Sequence, residues 1–292
     1  MLTALHWLSR RSVGVLHAVG ALLGWAAYAL SPSYRQRLRA NAALAGIAAH
    51  ERRASVAHAG RMVAETPRLW LRPGAVPLSP APLWEGTELI ERAVQAQRGL
   101  LLLTPHLGAF EVIAQSYAER FGARQPVTVL YRPARQAWLR QLETTARDRP
   151  NLHTAPASLA GVRQMIRALR HGQTVGLLPD QVPPDGMGVW APFFGRPAYT
   201  MTLAARLVLQ TGAPVLLVMG ERLPRAAGWH IRVFELPEPL PALAAFGGDE
   251  LAHQTECAAV MNRAMEFLIR QCPAQYLWGY HRYKTPRTVS AT

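Results

Sequence analysis

Residues 99–120 read GLLLLTPHLGAFEVIAQSYAER, and this stretch decides the fold class. The leucines at 100–103 form a continuous apolar run, as expected for a strand buried on both faces of a sheet. A Thr-Pro pair ends the strand, and Gly108 opens a segment with helical apolar spacing. A strand, a short loop and a helix in this order predict one unit of an α/β sheet. His106 then lies in the loop at the carboxyl edge of the sheet, where open α/β folds place their sites.

The same alternation continues along the chain. Helices are predicted at 88–97, 108–120, 136–147, 159–170, 201–210 and 249–270, and strands at 100–104, 127–131, near 152, 174–178, 214–219 and 230–235. Strands that alternate with helices favour a mostly parallel sheet, although the strand at 230–235 is a candidate for antiparallel pairing.

Residues 13–30, VGVLHAVGALLGWAAYAL, form an uncharged apolar stretch between clusters of arginine. A helix of this length spans about 27 Å, just enough to cross the hydrocarbon core of a bilayer. More basic residues follow the stretch than precede it, which favours an uncleaved anchor with the remaining chain in the cytoplasm. An interfacial or re-entrant helix is the alternative. Gly20 and Gly24 fit a helix-packing pattern that is also common by chance.

The chain is strongly basic: 32 lysines and arginines stand against 18 acidic residues, giving a formal charge of +14. Such a surface attracts phosphate-bearing or acidic partners, and nucleic acid, anionic lipid and an acidic carrier protein all satisfy it. Half of the residues are apolar, which excludes global disorder. Cys257 and Cys272 show neither metal-ligand spacing nor a disulfide framework, so we expect both to be inert packing residues in a reducing compartment.

These patterns divide the 292-residue chain into three segments. Residues 1–32 are predicted to form the membrane anchor, residues 33–84 two basic amphipathic helices and a proline-rich linker, and residues 85–292 the α/β domain. The basic helices either lie on the anionic bilayer surface or present ordinary solvated faces. The predicted architecture is α/β, a mostly parallel central sheet flanked by helices, with an N-terminal membrane-anchoring helix.

His106 and Glu111 are the first candidates for chemistry. Five residues within one helix stand about 140° apart, so His106 must lie in the loop and fold back for Glu111 to reach its ring. A carboxylate bonded to one ring nitrogen fixes the tautomer and makes the other nitrogen a better base for a hydroxyl. The pair predicts a general base that works without a protein nucleophile, beside backbone N–H groups that can stabilise an oxyanion. A structural role, with the histidine as a local cap, is the alternative.

Two further strands end in polar residues at the same sheet edge. Asp180 and Gln181 follow the strand at 174–178, and Arg132 follows the strand at 127–131. Arg132 suits a phosphate or a carrier phosphopantetheine but also an ordinary surface ion pair. Asp180 suits either the site or the capping of a turn.

The segment at 182–200 is predicted to be a long loop rich in glycine, proline and aromatic residues. Its aromatic side chains either line a groove for an acyl chain or pack onto the core. They are Trp190, Phe193, Phe194 and Tyr199.

Other catalytic classes have weaker signals. No GxSxG elbow occurs, and neither cysteine has a partner nearby in sequence. A hydrolase that holds a metal between His106, Glu111 and Asp180 remains a competing hypothesis, with His153 as another speculative ligand. We prefer a histidine that activates a hydroxyl to this metal site, so the expected site contains no metal.

Together these residues resemble the lysophospholipid acyltransferase superfamily, and within it the lipid A biosynthesis late acyltransferases. The resemblance covers most of the chain. Beside the N-terminal apolar segment it rests on HLGAFE (106–111), which matches an H-x4-D/E motif, YRP (131–133), LLPDQ (177–181), FFGRPAYT (193–200) and YLWGYHRYKTPR (276–287). The phosphatidic-acid branch of the superfamily carries an FPEGTR-like block where this chain has LLPDQ, which favours the lipid A branch.

The resemblance implies transfer of a fatty acyl group from acyl carrier protein to a hydroxyl of a phosphorylated lipid A precursor, without a cofactor. It implies His106 as the base, Glu111 as its partner, and Arg132, Asp180 and Gln181 in the substrate site. The expected location is the cytoplasmic face of the bacterial inner membrane, among anionic lipids, with no nucleic-acid partner. The alternatives are another glycolipid, an ornithine-type lipid or a lysophospholipid as acceptor, or a non-catalytic basic protein that binds membranes or nucleic acid.

Overall fold

A seven-stranded sheet forms the centre of the protein. The computed structural model describes residues 2–131 and 149–288. Its strands are β1 (Leu83–Glu85), β2 (Leu100–Leu103), β3 (Val127–Tyr131), β4 (Leu152–Pro156), β5 (Thr174–Leu177), β6 (Gly188–Phe193), β7 (Arg196–Met201), β8 (Val215–Arg222) and β9 (Trp229–Glu235). Its α-helices in the described residues are α1 (Leu2–Ser9), α2 (Val13–Leu30), α3 (Pro32–Leu44), α4 (Ala49–Trp70), α5 (Thr87–Ala96), α6 (Phe110–Arg120), α7 (Leu159–Arg170), α8 (Leu203–Thr211) and α9 (Glu250–Gln271).

The strand order in the sheet is β1-β9-β8-β2-β5-β3-β4. Neighbouring strands run parallel, except for β8 and β9, which pair antiparallel. The predicted α/β fold with a mostly parallel sheet is therefore confirmed, as is the antiparallel last strand. The helix predicted at 136–147 lies outside the described residues.

The four leucines of β2 divide the core into two layers. Leu101 and Leu103 point to the layer that contains Met261 of α9, whereas Leu100 and Leu102 point to the layer that contains Tyr117 of α6. Alternate side chains of a strand face opposite sides of the sheet, so a strand covered on both faces needs an unbroken apolar run. The strand before His106 is thus fixed in the centre of the sheet by burial on both sides.

The predicted loop at 182–200 contains a β-hairpin instead. Strands β6 and β7 pair antiparallel as a separate two-stranded sheet, which packs against α9. Side chains of β6 alternate between buried and less buried positions, the period expected of a strand with one covered face. Prolines at 192 and 197 hid this pattern, because proline within a run argues against a strand.

The apolar helix α2 packs along α4. Gly20, Gly24 and Gly60 bring the two backbones into direct contact: a Cβ added to Gly60 would stand 1.9 Å from the carbonyl oxygen of Gly20. The small-residue pattern is therefore a packing surface within the chain. Among the described residues, α2 is also the one helix long and apolar enough to cross a membrane. Its outward face remains exposed, with Leu22 at 73% and Leu30 at 83%.

Candidate active site

The loop that carries His106 is held by main-chain hydrogen bonds from two sides. Gly108 N donates to Gln275 O at 3.0 Å, and Ala109 N donates to Gly220 O at 2.7 Å. Gly108 has φ +58°, and a Cβ there would stand 2.0 Å from Gly220 O, so only glycine fits. Helix α6 consequently begins at Phe110, two residues later than predicted, and His106 lies in the loop as expected.

Asp180 holds His106 at two points. Its Oδ2 accepts a hydrogen bond from His106 N at 2.9 Å, and its Oδ1 lies 2.7 Å from His106 Nδ1. The two residues meet because β2 and β5 are parallel neighbours, so the chain leaves both strands at the same edge. Asp180 is 2% exposed, so its carboxylate is shielded from solvent and interacts with protein groups, His106 among them.

This contact was predicted for a different residue. At the ring nitrogen where we expected the carboxylate of Glu111, the structure places Asp180. Glu111 lies in the first turn of α6, as predicted, and its Oε2 accepts a hydrogen bond from Trp70 Nε1 at 3.3 Å. Its charge still reaches His106, where it contributes to raising the pKa of the imidazole.

The electrostatics of the pair make the imidazole more basic than a free one. Burial works to lower the pKa of His106, but the charge and hydrogen bond of Asp180, together with Glu111, outweigh it and raise the pKa above its usual value. For Asp180, burial works to raise the pKa, and the interactions with His106 outweigh it and lower the pKa. Both shifts favour the charged forms, so a positive charge that develops on the ring during proton transfer is stabilised.

The second ring nitrogen faces the outside. His106 Nε2 lies 3.0 Å from Nε2 of the exposed Gln181. With Nδ1 donating to Asp180, Nε2 carries the free lone pair, and the Gln181 amide donates to it. A hydrogen-bond donor other than Gln181 could use the same lone pair. Arg132, the remaining predicted substrate residue, lies outside the described residues.

Residues 275–282, near the C-terminus, pack against the site. Leu277 N donates to His106 O at 3.3 Å, and Val182 N donates to the hydroxyl of Tyr280 at 3.0 Å. Tyr276 is buried beside Asp180: burial first, and then the negative charge of Asp180, raises the pKa of its phenol well above the usual value. The quoted motifs HLGAFE, LLPDQ and YLWGYHRYKTPR therefore meet in one place.

The same segment anchors the hairpin through Arg282. This buried guanidinium donates to the main-chain oxygen of Tyr199 and to the side chains of Thr200 and Asn262. Burial lowers the pKa of Arg282.

Other predicted residues have structural roles. Phe193, Phe194 and Tyr199 are buried in the core, so packing is confirmed for these three, whereas Trp190 is 48% exposed. Both cysteines are buried, and burial raises the pKa of the Cys272 thiol to about 12. A thiol that stays protonated is a poor nucleophile.

His153 does not join Asp180. It lies near the start of β4, whereas Asp180 follows the end of β5, so the two residues stand at opposite edges of the parallel sheet. Within residues 2–131 and 149–288, no group of three or more His, Cys, Asp or Glu side chains is arranged to hold a metal ion.

A buried cluster of charges connects helix α2 to this site. His17 Nε2 lies 3.1 Å from Glu65 Oε2, and Arg222 Nε donates to Glu65 Oε1 at 2.9 Å. The main chain of Arg222 exchanges two hydrogen bonds of 3.0 Å with the side-chain amide of Gln275: Arg222 N donates to Oε1, and Nε2 donates to Arg222 O. The main-chain oxygen of Gln275 in turn holds the loop at Gly108. The apolar helix, the end of β8 and the His106 loop thus share one network.

Sequence reasoning missed this network and the contact between His106 and Asp180. The available signals were His17 within an otherwise apolar segment and an acidic residue directly after a buried strand. Neither signal identifies its partner, because the partners lie 48 and 74 residues away.

Comparison with known proteins identifies the family. The family model for the bacterial lipid A biosynthesis acyltransferase matches residues 3–285. The chain belongs to this family.

Relatives include the lipid A biosynthesis palmitoleoyltransferase of Escherichia coli strain K12, 29% identical over 202 residues, which are 69% of this chain and 61% of the relative. The lipid A biosynthesis lauroyltransferase of the same strain is 32% identical over 196 residues, covering 66% of this chain and 59% of the relative. The lipid A biosynthesis acyltransferase of Haemophilus influenzae is 26% identical over 205 residues, covering 69% and 61%. The chain thus matches about three fifths of the length of each of these family members.

Proposed function

We propose that this protein transfers a fatty acyl chain from acyl carrier protein to a hydroxyl of a lipid A precursor. The observation that carries the proposal is the arrangement at His106: Nδ1 is fixed by the buried Asp180, and Nε2 faces the exposed Gln181. A histidine held in this way is a general base with one open position. Membership of the lipid A acyltransferase family supplies the substrate class.

The reaction needs no protein nucleophile. The acceptor hydroxyl displaces the amide of Gln181 and donates its proton to His106 Nε2, while its oxygen attacks the thioester carbonyl carbon of the donor. The tetrahedral intermediate then collapses as the bond between carbon and sulfur breaks. The leaving thiolate of the carrier's pantetheine takes the proton back from the imidazolium. His106 ends the cycle neutral, and the acyl group forms an ester with the acceptor.

Two carboxylates, those of Asp180 and Glu111, stabilise the protonated form of the base. Asp180 fixes the tautomer and the orientation of the ring, and its buried charge stabilises the imidazolium. Glu111, held by Trp70, adds a second negative charge near the ring. Arg132 completes the proposal as the residue that binds a phosphate of the donor or the acceptor. Neither a metal nor a cofactor enters this mechanism.

We place the enzyme at the cytoplasmic face of the bacterial inner membrane, because its acceptor is a lipid and its donor a cytosolic carrier. The exposed apolar face of α2 and the excess of basic residues support this location. The proposed donor, acyl carrier protein, is an acidic protein, so the positive surface of this chain favours its approach.

The decisive experiment compares His106→Ala with the double variant Cys257→Ala/Cys272→Ala. We expect transfer from acyl carrier protein to a lipid A precursor to be lost in the first and retained in the second. Retained transfer in His106→Ala, together with an acyl group trapped on a cysteine, would overturn the mechanism.

Mass spectrometry of lipids from cells without this protein, and from complemented cells, identifies the acceptor. A modified ornithine-type lipid or lysophospholipid in place of lipid A would contradict the proposed substrate.

A further inference from the structure

Four arginines surround the C-terminal half of α2. Arg35 and Arg39 lie on α3, and Arg52 and Arg53 lie in the first turn of α4. Within the part of the chain that the structure describes, none of these guanidinium groups forms an ion pair with a carboxylate. Four positive charges without a counter-charge repel one another, so this arrangement favours an anion between them.

A cavity of about 210 Å³ lies where these helices meet. Arg39, Arg52 and Arg53 contribute its charged wall, Trp25 and Tyr28 its aromatic wall, and the buried Val56 its floor. Arg39 also borders a more open cavity of about 510 Å³ beside Arg35. A phosphate and several waters fit the smaller cavity, since one water takes about 30 Å³ of liquid.

Arg35 and Arg39 are already oriented by the aromatic wall. Arg39 Nε donates to the Tyr28 hydroxyl at 2.8 Å, and Arg35 Nη1 donates to the main-chain oxygens of Tyr28 and Ala29 at 3.0 Å each. Arg35 therefore caps the end of α2, and Arg39 stands beside the opening with donors to spare. A guanidinium held in one orientation loses less freedom when it binds phosphate.

The cavity adjoins an exposed apolar surface, whose contact with water is unfavourable. Leu22 and Trp25 of α2 are 73% and 43% exposed. Leu22 and Trp25 stand three residues apart, so they lie on the same side of the helix and lead toward the cavity. A lipid presents acyl chains beside a phosphate, whereas a nucleic acid has no acyl chain to cover Leu22 and Trp25.

We propose that this cavity binds the phosphate of an anionic membrane phospholipid, whose acyl chains lie along the exposed face of α2. We assign the cavity to a bulk phospholipid and not to the acceptor, because the cavity and the His106 site lie on different faces of α3. Arg39 lies on the face beside the cavity. Asn41, on the other face, donates to the main-chain oxygens of Trp278 and Tyr280, in the segment that packs against the site.

The test measures binding to the full-length protein in a non-ionic detergent. Short-chain phosphatidylglycerol is titrated, and bound lipid is counted by native mass spectrometry. Phosphatidylcholine with the same chains, inorganic phosphate and lipid A serve as comparison ligands. Binding is measured without turnover, so the result does not depend on the proposed function.

The variant Arg39→Gln/Arg52→Gln/Arg53→Gln should bind phosphatidylglycerol at least about tenfold more weakly. The matched control Arg98→Gln/Arg120→Gln/Arg206→Gln removes the same charge from exposed arginines elsewhere on the surface and should bind almost as the parent does. The single change Arg53→Glu should weaken binding several-fold, with an unchanged unfolding temperature showing that the fold is intact.

Four results would overturn the proposal. Equal losses in the two triple variants would show that only net charge matters. Equal affinity of the parent protein for phosphatidylcholine would remove the preference for an anionic head group. Displacement of phosphatidylglycerol by an equal concentration of inorganic phosphate would assign the cavity to a free anion. Displacement by equimolar lipid A would assign it to the acceptor.

Discussion

Asp180 binds both the main chain and the ring of His106, at 2.9 Å and 2.7 Å, with the two oxygens of one carboxylate. The two bonds make the position of the loop and the orientation of the imidazole dependent on each other. Rotation of the ring away from Asp180 leaves a buried carboxylate with one bond fewer, which is costly. The imidazole is therefore held in a fixed orientation.

The variant Asp180→Asn should lower the rate by about 100-fold or more, because the ring loses its orienting carboxylate. His106 acts as a base only when neutral, so activity rises with pH through its pKa, which Asp180 helps to raise. Removing this charge lowers that pKa, and the acidic limb of the profile of kcat/KM against pH should move to lower pH. An unmoved limb in a folded variant would show that Asp180 does not act through the imidazole.

The variant Glu111→Gln should also move the acidic limb to lower pH, since Glu111 contributes to the raised pKa of His106. We expect a rate loss of about tenfold or more, because a charge near the forming imidazolium is removed. Trp70→Phe, which deletes the donor to Glu111, is the companion variant and should keep the limb in place. A limb unchanged in Glu111→Gln would leave this residue with a role in substrate binding alone.

Gly108→Ala should abolish most activity. The new methyl group meets Gly220 O at 2.0 Å and displaces the loop that presents His106. Gly247→Ala is the matched control, because Gly247 has the same φ of +58° but nothing within 4 Å of the added atom. Both substitutions carry the cost of a left-handed residue, about 1 kcal/mol or more. Transfer assays and urea unfolding separate strain from displacement, and equal activity in the two variants would contradict the prediction.

Glu65→Gln should destabilise the protein by about 3–5 kcal/mol, because Arg222 is left buried without a counter-charge. Burial works to raise the pKa of Glu65, but Arg222 and His17 outweigh it and lower the pKa. The stabilisation is therefore present above the usual carboxyl pKa and lost as the pH falls through the lowered one. Thermal unfolding from pH 7 to pH 3 should show a larger loss in the parent protein than in the variant, which keeps only the loss from other carboxylates with a lowered pKa, such as Asp180.

The control for Glu65→Gln is Glu238→Gln, which breaks an exposed pair with Arg263. Exposed pairs stabilise little, so its unfolding temperature should stay close to that of the parent. A similar fall in both variants would mean that general charge, and not the buried cluster, is responsible.

Local signals in the sequence predicted most of the fold. The apolar run at 100–103 predicted that β2 is buried on both faces, and the helix predicted at 159–170 is α7 (Leu159–Arg170). The position of His106 in a loop followed from the Thr-Pro pair that ends the strand and from Gly108, which precedes the helix. Each of these signals lies within a few residues of the feature that it predicts.

The partner of His106 could not be predicted in the same way. Asp180 reaches it because β5 lies next to β2, and this adjacency depends on the order of strands in the sheet, which no local pattern records. The contact between His17 and Glu65 needs two helices to pack at their glycines. The β-hairpin was missed for another reason: its prolines suppress the local strand signal, although its alternate residues are buried against α9.

The contact between α2 and α4 changes what the N-terminal segment is for. An anchor that only needs to be apolar can be exchanged for any other helix of similar hydropathy or trimmed away to obtain a soluble enzyme. Here a substitute helix must also carry a histidine at the level of Glu65 and glycines where Gly60 approaches. Deleting this helix exposes the buried carboxylate of Glu65, which is connected through Arg222 and Gln275 to the loop that carries His106. Fusion tags and truncations for protein production should therefore leave residues 13–30 intact, and chimaeras that swap this helix should fail to fold rather than merely change location.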